Sequence, residues 1–404
     1  MDNQELEEKI LKIDKSKWKP TKLGTLAEDI SVRVDKPGNS EYDRFVGLDN
    51  FISGDIKIKS WASTENLTSS AKAFKAGDIL FARRNAYLRR ASLVDFDGCC
   101  SGDAFVIREN LDKVVPGFLA FLMNTNSLWD YANSNAAGTM SKRVKWRDLA
   151  EYEFLLPPKA EQGRLAELLW AMDDVIEKEQ YLLDKLALTK KALFDSTIYE
   201  SNLKMGQYFI KKKSRFNEVK LGELLSEIQY GISESLEDKG EVPILRMNNL
   251  QGGKLVLDDI KYYNPKDGEL NRFMLNKGDV LFNRTNSFEL VGKVSLFDEE
   301  EKYSFASYLI RLKADDSKLD SRYLNFYLNS PIGLAKIRKY RTPGVSQSNI
   351  NAQNLKHIHI PYAGLKIQSE LMDKIERIEF GELSSSSKIL SSQSLQKSLI
   401  NQIF

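Results

Sequence analysis

The sequence predicts an α+β protein in which two copies of a mixed α/β domain are separated by long helices. Three observations support this fold class: a central run with helical periodicity, short β-like runs on both sides of it, and an internal duplication. The chain has 404 residues, of which 42% are apolar and 29% charged, so it is long enough to form more than one core.

The central run, residues 161–198, has the pattern of a coiled-coil helix. Apolar residues recur at alternating steps of four and three, and only Glu179, Lys190 and Thr197 interrupt this seam. The run contains no proline, and its one glycine stands near its start. Polar residues on a seam fix the register of paired helices at some cost in stability. We therefore expect one long helix that pairs with another helix.

The region before this helix reads as a domain of short strands. β-like runs alternate with turn residues at positions 45–48, 55–58, 78–81 and 104–107. One helix is predicted over residues 116–131, with proline in its first turn. Two prolines, Pro157 and Pro158, close the domain just before the long helix.

The region after the helix repeats the region before it. Residues 220–224 match residues 22–26 at an offset of 198 (220 less 22), and the run from Gly278 matches the run from Gly77 at an offset of 201 (278 less 77). An aromatic segment at 323–329 matches 118–124 at an offset of 205 (323 less 118). Because the offset drifts by only a few residues, the chain is predicted to contain a duplication with small loop changes.

The second copy also ends in a helix-like tail. Apolar residues continue at helical spacing from 371 to 403, but the four serines at 384–387 are poor helix formers and are expected to interrupt it. The tail is expected to be shorter than the central helix. A short helix predicted within residues 1–13 is expected to complete the second repeat in space.

Composition limits the classes of function. The net charge is +2, so any nucleic-acid surface must be a local patch. The only cysteines are the neighbours Cys99 and Cys100, no run of about 18 apolar residues exists, and the first residues do not form a signal peptide. These features predict a reduced, cytoplasmic protein without a membrane contact. The two histidines, His357 and His359, predict no metal site.

The first candidate site follows the repeated motif G-D-[IV]-L-F-x-R. In both copies a predicted buried strand ends in arginine and asparagine, and the first copy carries four arginines within eight residues. Arginine binds guanine edges and phosphates, and asparagine binds adenine. A solvated loop with arginines paired to aspartates is the alternative, but the match between copies favours DNA contact. The candidate residues are Arg83, Arg84, Asn85, Tyr87, Arg89, Arg90, Arg284, Thr285 and Asn286.

Two further segments are weaker candidates. The segment after the aromatic helix is basic in the first copy and polar in the second, and an ordinary linker explains it as well as a phosphate contact does. Its candidates are Lys142, Arg143, Lys145, Ser346 and Gln347. The third segment contains Arg246 and Asn248, for which a strand end with an Asn-rich turn is the favoured alternative.

Catalytic signatures are largely missing from the sequence. It contains no G-x-x-x-x-G-K-[ST] phosphate loop, no nucleophile elbow, and no glycine-rich cofactor loop with the Asn-Pro-Pro-aromatic motif of a DNA methyltransferase. We therefore predict no catalytic residue and no metal ligand in this chain.

With these motifs in place, the chain resembles the specificity subunits of type I restriction–modification systems over nearly its whole length. The K-L-G runs that open each half, the two G-D-[IV]-L-F-x-R strands, and the segment 155–162 with its P-P-x-x-E-Q pattern carry the resemblance. The second copy, at residues 361–368, keeps one proline and the glutamine but lacks the glutamate, which leaves the start of its helix less well defined.

The resemblance implies a fold and a set of partners. Two target-recognition domains would each read one half of an asymmetric, bipartite double-stranded DNA target, and the two long helices would pack as an antiparallel coiled coil that holds them apart. The subunit would be non-catalytic and carry no cofactor. Methylation subunits with S-adenosylmethionine, and a restriction/translocation subunit with ATP and magnesium, would assemble on it.

The predicted segments are an N-terminal helical segment (1–16), target-recognition domain 1 (17–158), the central long helix (159–200), a basic linker (201–216), target-recognition domain 2 (217–362) and a C-terminal helix (363–404). Two other functions stay open on the sequence: a stand-alone enzyme that modifies or cleaves DNA, and a coiled-coil scaffold without DNA binding.

Overall fold

The computed structural model describes residues 13–138, 141–200, 213–265, 270–286, 292–343 and 348–404. Two compact units are present: the described residues of Met1–Leu183 together with Leu383–Phe404, and those of Asp184–Glu382. We call them unit 1 and unit 2. The short N-terminal helix expected within residues 1–13 falls almost entirely outside the described residues.

Unit 1 contains three sheets and three short helices. Its strands are β1 (Lys19–Lys22), β2 (Ala27–Asp29), β3 (Val32–Val34), β4 (Arg44–Val46), β5 (Ala62–Ser63), β6 (Ala71–Phe74), β7 (Ile79–Ala82), β8 (Ala91–Leu93), β9 (Gly98–Cys100), β10 (Ala104–Glu109) and β11 (Glu153–Leu156). Its short helices are α1 (Phe118–Leu122), α2 (Asn126–Ser134) and α3 (Trp146–Leu149). The sheet orders are β1-β11, β2-β10-β7-β8 and β3-β6-β9-β4-β5.

Unit 2 repeats this plan with changes at its edges. Its helices are α5 (Ser321–Asn329), α6 (Pro331–Lys339) and α7 (Ala352–Lys356), which follow α4 (Lys159–Ile198) in the chain. Its strands are β12 (Glu218–Lys220), β13 (Leu225–Tyr230), β14 (Val242–Leu245), β15 (Leu250–Gln251), β16 (Lys254–Leu255), β17 (Lys261–Tyr263), β18 (Val280–Asn283), β19 (Thr285–Asn286), β20 (Val294–Leu296), β21 (Ser304–Phe305), β22 (Leu309–Ala314), β23 (Thr342–Pro343), β24 (Ser348–Asn349) and β25 (His359–Pro361).

The four-stranded sheet is the part that the two units share. Its order is β2-β10-β7-β8 in unit 1 and β13-β22-β18-β20 in unit 2, and all neighbours are antiparallel. In β7, Ile79 and Phe81 pack into the core beneath the helices, whereas Leu80 packs into a second core. Because both faces of the strand are buried, the I-L-F run is continuously apolar. The predicted duplication is therefore confirmed by the folds of both units.

The G-D pair before this strand forms the same turn in both units. Gly77 and Gly278 have φ values of 92° and 91°, in the left-handed region that favours glycine. The following aspartates fix the turn: Asp78 Oδ2 accepts a hydrogen bond from the Lys75 backbone N–H at 2.7 Å, and Asp279 Oδ2 from that of Asn276 at 2.9 Å.

Two long helices complete the units, α4 (Lys159–Ile198) and α8 (Leu365–Ile403). In unit 1, Gln396 Nε2 donates to the Leu169 carbonyl at 3.3 Å, and Lys388 Nζ lies 3.3 Å from Glu179 Oε1. In unit 2, Leu186 packs against Gly381, and Lys190 Nζ lies 3.3 Å from Glu379 Oε1. Within each unit, residue numbers increase along α4 while those of the contacting residues in α8 decrease. The two helical segments therefore run antiparallel, as the fold class predicts.

The polar seam residues of α4 thus have partners on α8. Glu179 pairs with Lys388 in unit 1, and in unit 2 Lys190 also pairs with Glu382 at 2.6 Å. These contacts agree with the expectation that Glu179 and Lys190 set the register of the pair.

Three local expectations were wrong. The helix predicted over 116–131 is divided into α1 and α2, because Thr125 Oγ1 accepts the Leu128 N–H and starts a new helix. Residues 55–58 form no strand and contribute only the isolated bridge of Lys57 to Leu93. The serines at 384–387 do not interrupt α8, which has 39 residues against 40 in α4, since packing against α4 outweighs their weak helix propensity.

Among the described residues, no helix combines the length and the apolar character needed to cross a membrane. Cys99 and Cys100 are free, buried thiols, and burial raises the pKa of the Cys99 thiol to about 11 and that of Cys100 to about 12.

Candidate nucleic-acid interface

The loop that follows β7 brings together two of the segments predicted from sequence. The Val144 N–H donates to the Arg83 carbonyl at 2.9 Å, and the Asn85 N–H donates to the Lys142 carbonyl at 3.0 Å. On its other side, the Arg83 N–H donates to the Asp103 carbonyl at 3.0 Å. Arg83–Arg90 and Lys142–Lys145 therefore form one surface, which we call the arginine loop of unit 1.

One carboxylate lies at the centre of this surface. Asp103 accepts a hydrogen bond from Arg143 Nε at 3.0 Å, and its oxygens lie 3.7 Å from guanidinium nitrogens of Arg83 and Arg84. The hydrogen bond from Arg143 is the main cause that lowers the pKa of Asp103, and the charges of all three arginines add to it. Three cations share one anion, so the cluster keeps a positive charge. Arg84 Nη2 also donates to Ser141 Oγ at 3.2 Å.

The tip of the loop has an unusual backbone. Asn85 and Arg89 have φ values of 55° and 49°, on either side of a 3-10 turn at Ala86–Leu88. Non-glycine residues in this region cost energy and are held by their surroundings. The turn presents Tyr87, which is 67% exposed, at its outer end. An exposed ring beside cations is suited to stack on a base or a sugar.

The other basic residues of the loop divide into held and exposed side chains. Arg89 donates to Asn126 Oδ1 at 2.8 Å and to Asp130 Oδ1 at 3.0 Å, and Arg90 donates to the Leu48 carbonyl at 3.0 Å. Lys142 and Lys145 are exposed. Arg89 and Arg90 therefore support the loop, whereas the side chains of the two lysines are exposed to solvent and form no ion pair with any described residue.

The loop after β18 has the same backbone connections in unit 2. The Arg284 N–H donates to the Tyr308 carbonyl at 3.0 Å, and the Ile350 N–H donates to the Arg284 carbonyl at 2.9 Å. Strand β19 then pairs with β24, Thr285 with Asn349 and Asn286 with Ser348, and Asn349 Nδ2 donates to Thr285 Oγ1 at 3.2 Å. Arg284 thus occupies the place of Arg83.

The surroundings of Arg284 differ from those of Arg83. Tyr308, 52% exposed, stands where unit 1 has Asp103, and the Arg284 guanidinium lies 4.9 Å from the centre of the Tyr230 ring. One feature is common to both: the Nε atoms of Arg83 and Arg284 are buried, and no acceptor among the described residues bonds to either. The Tyr230 hydroxyl accepts the Ala352 N–H at 2.9 Å, which fixes the ring. This arginine stacks on an aromatic ring, with no carboxylate among its described contacts.

The side chains of the third candidate segment, Arg246 and Asn248, donate hydrogen bonds to the carboxylate of Asp259 in the same unit. Arg246 Nη2 donates to Asp259 Oδ2 at 2.7 Å, and Asn248 Nδ2 donates to the same oxygen at 3.0 Å. Asn249 is buried, and its Oδ1 accepts the Arg246 N–H at 2.8 Å. The segment is a hydrogen-bonded turn that holds Arg246 against Asp259. Ser346 and Gln347 lie outside the described residues.

Sequence reasoning missed the residues that surround the two arginines, namely Asp103, Tyr230 and Tyr308. Tyr230 is the last residue of β13, whereas Asp103 and Tyr308 lie in the turns just before β10 and β22. All three are far from the motif in the chain. The duplication contains a usable signal, because its offset of 205 places Asp103 against Tyr308 (308 less 103).

Fold and loops together define a duplicated protein with one arginine-bearing loop at the end of the same strand in each unit. A family model described as the type I restriction modification DNA specificity domain matches residues 15–188 and 213–388. The chain belongs to this family.

Similar proteins agree with this assignment. The specificity subunit of the type I restriction enzyme EcoKI from Escherichia coli (strain K12) is 24% identical over 288 residues, which cover 69% of this chain and 62% of that subunit. The EcoDI specificity subunit from Escherichia coli is 32% identical over 118 residues, covering 28% of this chain and 26% of the relative. The chain thus matches less than two thirds of the length of either relative.

Solved structures share the fold. The S subunit of a type I restriction–modification system from M. genitalium superposes with a TM-score of 0.61 at 14% identity, covering 98% of both chains. A chain from a structure concerned with complex assembly of the type I R-M system has a TM-score of 0.54 at 20% identity, covering 95% of this chain and 97% of the other.

Proposed function

We propose that this chain is the sequence-specific DNA-recognition subunit of a type I restriction–modification complex. Each unit reads one half of an asymmetric, bipartite target in double-stranded DNA, and the chain itself performs no chemistry. The observation that supports this most directly is the placement of Arg83 and Arg284 at the end of the same strand in two units that otherwise differ. Family membership points to the same function.

The two loops suit direct reading of base edges. Arginine presents a planar fork of donors that matches the O6 and N7 acceptors of guanine, and it also binds phosphates. The lysines Lys142 and Lys145 are exposed beside the first loop, where point charges serve phosphate binding. Because Asp103 and Tyr308 give the two arginines different neighbours, the two half-sites should differ in sequence.

The long helices supply surfaces for partner subunits. In unit 1, Leu168, Val175 and Leu182 stand one heptad apart on α4 and are 37%, 48% and 45% exposed. On α8 of the same unit, Leu383 and Leu390 are 59% and 68% exposed. Exposed apolar rows of this kind mark sites of protein association.

In the proposed complex these rows bind methylation subunits, and a restriction/translocation subunit joins the assembly. S-adenosylmethionine, ATP and magnesium belong to those partners, and this chain contributes target choice.

The test is binding of the chain, together with its methylation partner, to duplex DNA. We expect tight binding to one bipartite sequence and weak, steeply salt-dependent binding to random duplex. Equal affinity for all duplexes would contradict target reading. Cleavage or methylation by the purified chain alone would contradict the assignment of a non-catalytic subunit.

A further inference from the structure

One continuous stretch of unit 2 contains no acidic residue. Residues 321–368 include seven lysines and arginines and both histidines of the chain, but no aspartate or glutamate. The corresponding residues of unit 1 are 116–163, at the offset of 205 (321 less 116), and they include five basic and five acidic residues. The net charge of the whole chain is only +2, so this excess of positive charge is local to one copy of the duplicated domain.

Two glycines fix the correspondence between the units at this surface. A Cβ atom added to Gly24 would lie 2.8 Å from Cβ of Ala150, and one added to Gly222 would lie 2.9 Å from Cβ of Lys356. The glycine of each K-L-G run therefore packs against the same position, which is Ala150 in unit 1 and Lys356 in unit 2. Only unit 2 has a cation there, and its side chain is exposed.

The strand that follows loses its acids in unit 2. In unit 1, β1 places Lys22 opposite Glu153 on β11, and Lys22 Nζ lies 2.6 Å from Glu151 Oε2. In unit 2, β12 places Lys220 opposite His359 on β25. At the offset of 206 (359 less 153), the two histidines stand where unit 1 has its two glutamates. Lys220 is exposed and, unlike Lys22, forms no ion pair with any described residue.

The end of α6 packs beside this strand. Lys336 Nζ lies 2.6 Å from Glu218 Oε1 and donates to the His359 carbonyl at 2.8 Å. The hydroxyl of Tyr340, the residue after α6, donates to the His357 carbonyl at 2.9 Å. These contacts attach the last turn of α6 to β12 and to the segment that links α7 to β25.

The last turn of α6 adds further exposed cations. Arg338 and Lys339 are exposed, and neither forms an ion pair with a described residue. A helix C-terminus favours basic side chains, yet the last turn of α2, the corresponding helix of unit 1, has none. The fold therefore does not require these cations. The surface that we call the basic face of unit 2 consists of Lys220, Arg338, Lys339 and Lys356.

The basic face adjoins the loop that carries Arg284. Tyr230, on which Arg284 stacks, accepts the N–H of Ala352, the first residue of α7. Helix α7 has five residues, which makes it roughly 7 Å long. Its last residue, Lys356, therefore lies about two nucleotide steps of roughly 3.4 Å from the loop. A duplex bound to this loop brings backbone phosphates within reach of the face.

Phosphates are the anions that this arrangement suits. Lysine and arginine side chains that lack a fixed carboxylate partner bind backbone phosphates and release the counterions of DNA. Such contacts fix the duplex on the protein but read no base. The position of the face beside a loop proposed to contact DNA favours DNA over an acidic protein surface as the partner.

We propose that the basic face of unit 2 binds backbone phosphates next to the half-site that unit 2 reads, a contact that unit 1 does not make through the corresponding surface. The inference deepens the proposed function and rests on it, because it places more of the same duplex on unit 2. Since a phosphate contact carries no base information, it adds affinity and not target choice.

The test compares two double variants in the full complex. Lys339→Gln with Lys356→Gln removes two charges from the basic face, whereas Lys302→Gln with Lys313→Gln removes two charges elsewhere in unit 2. Lys339→Arg with Lys356→Arg preserves the charge of the face.

The control residues lie away from the loop. Lys302 and Lys313 are both exposed. Lys313 follows the residue that pairs with Val280 at the start of β18, and Lys302 belongs to the turn whose Glu300 lies 2.6 Å from Lys277, just before β18. The arginine of the loop stands after the other end of this strand.

We expect the glutamine variant of the basic face to bind the target duplex about three- to tenfold more weakly and to lower the slope of log affinity against log salt by about 2 in magnitude. The loss should be the same for random duplex, so that target preference is unchanged. The control variant and the arginine variant should keep the wild-type slope.

Neutral methylphosphonate linkages in the duplex show which phosphates are involved. Placed next to the half-site that Arg284→Ala relaxes, they should weaken binding by the wild-type and control complexes but cause no further loss in the glutamine variant of the face. The same linkages next to the other half-site should weaken all three complexes alike.

Should the glutamine variant fail to fold, Lys356→Ala provides a second one, because unit 1 folds with Ala150 at this place, and its salt slope should fall by about 1 in magnitude. An unchanged salt slope, or linkage effects that are equal in wild type and variant, would overturn the inference. Weaker assembly with the methylation subunit at an unchanged slope would assign the face to a protein partner and overturn it too. Failure of the proposed function shows separately, as absence of any target preference in the wild-type complex.

Discussion

The equivalent arginines of the two units, Arg83 and Arg284, have different neighbours. Arg83 shares Asp103 with Arg84 and Arg143, whereas Arg284 stacks on Tyr230 beside the exposed Tyr308. The backbone that positions the arginine is the same in both units, down to the hydrogen bonds on either side of it. The comparison shows that the strand and its turn fix the position of the arginine, while residues at the ends of neighbouring strands and in the turns beside them determine its charge environment.

The largest expected effects come from substitutions in the cores beneath the loops. Phe81 and Phe282 are fully buried, so replacing either by alanine should cost about 3–5 kcal/mol of unfolding free energy. Phe81 also stacks on Trp129 at 4.6 Å, where unit 2 has Leu334. Phe81→Ala should therefore cost about 1 kcal/mol more than Phe282→Ala, measured by hydrogen exchange in β10 and β22. Equal losses of unfolding free energy in the two variants would show that the Phe81–Trp129 stacking adds nothing to stability.

A pH-dependent difference should separate the units next. Burial raises the pKa of Glu109 to about 7, although the carboxylate accepts the Gly117 and Leu119 N–H groups. The folded state therefore holds its proton more tightly than the unfolded state does. The stabilisation that protonated Glu109 gives the folded state is complete below about pH 4.5 and is lost as the pH rises through about 7. The loss is at most about 3 kcal/mol.

Urea unfolding followed by tryptophan fluorescence measures this effect in unit 1, because all five tryptophans lie within its sequence. Glu109→Gln should abolish the decline between these pH values. Unit 2, with Ala314 at the corresponding position, provides the internal control and should show no such slope in hydrogen exchange of β22. If the pH dependence of the unfolding free energy persists in Glu109→Gln, it arises from another titratable group.

The arginines themselves should differ in their weight for DNA binding. Replacing a base-contacting arginine by alanine costs about 1–3 kcal/mol. We expect Arg284→Ala to lie at the upper end, because no other candidate arginine stands beside it, and Arg83→Ala at the lower end, because Arg84 and Arg143 remain. Titration of the complex with its target duplex measures both, with Arg→Lys variants as charge-preserving controls. Full affinity in both alanine variants would exclude the loops from the interface.

The smallest effects should come from exchanging the neighbours. Asp103→Asn releases three arginines and should increase affinity for random duplex by about 0.5–1 kcal/mol, whereas Tyr308→Asp should decrease it by a similar amount. Both changes should fade at high salt, since they act through partly exposed charges. Binding at two ionic strengths measures them, and effects of the same sign in both variants would contradict the role given to Asp103.

The sequence predicted the features that depend on local pattern. The duplication, the I-L-F strand and the long helix with its polar seam positions Glu179 and Lys190 follow from periodicity and repeated motifs, which act over a few residues. The break between α1 and α2 was missed because a cap at Thr125 outweighs a continuous apolar pattern. The continuity of α8 through its serines was missed because the stabilising contacts come from α4.

The candidate site was predictable only in part. Arg83 and Arg284 follow from the motif, but the residues that distinguish them lie across the sheet. Asp103 reaches Arg83 through the β7–β10 pairing, in which Ala82 lies opposite Ala104. Such contacts depend on strand register, which cannot be read from a single sequence.

Selection of preferred targets from a random duplex pool by the full complex tests the central claim most directly. The wild-type complex should select one bipartite sequence with two unlike half-sites. Arg83→Ala should relax base preference in one half only, and Arg284→Ala in the other half only. Relaxation of the same half by both variants, or an unchanged target in both, would contradict the claim that each unit reads its own half-site.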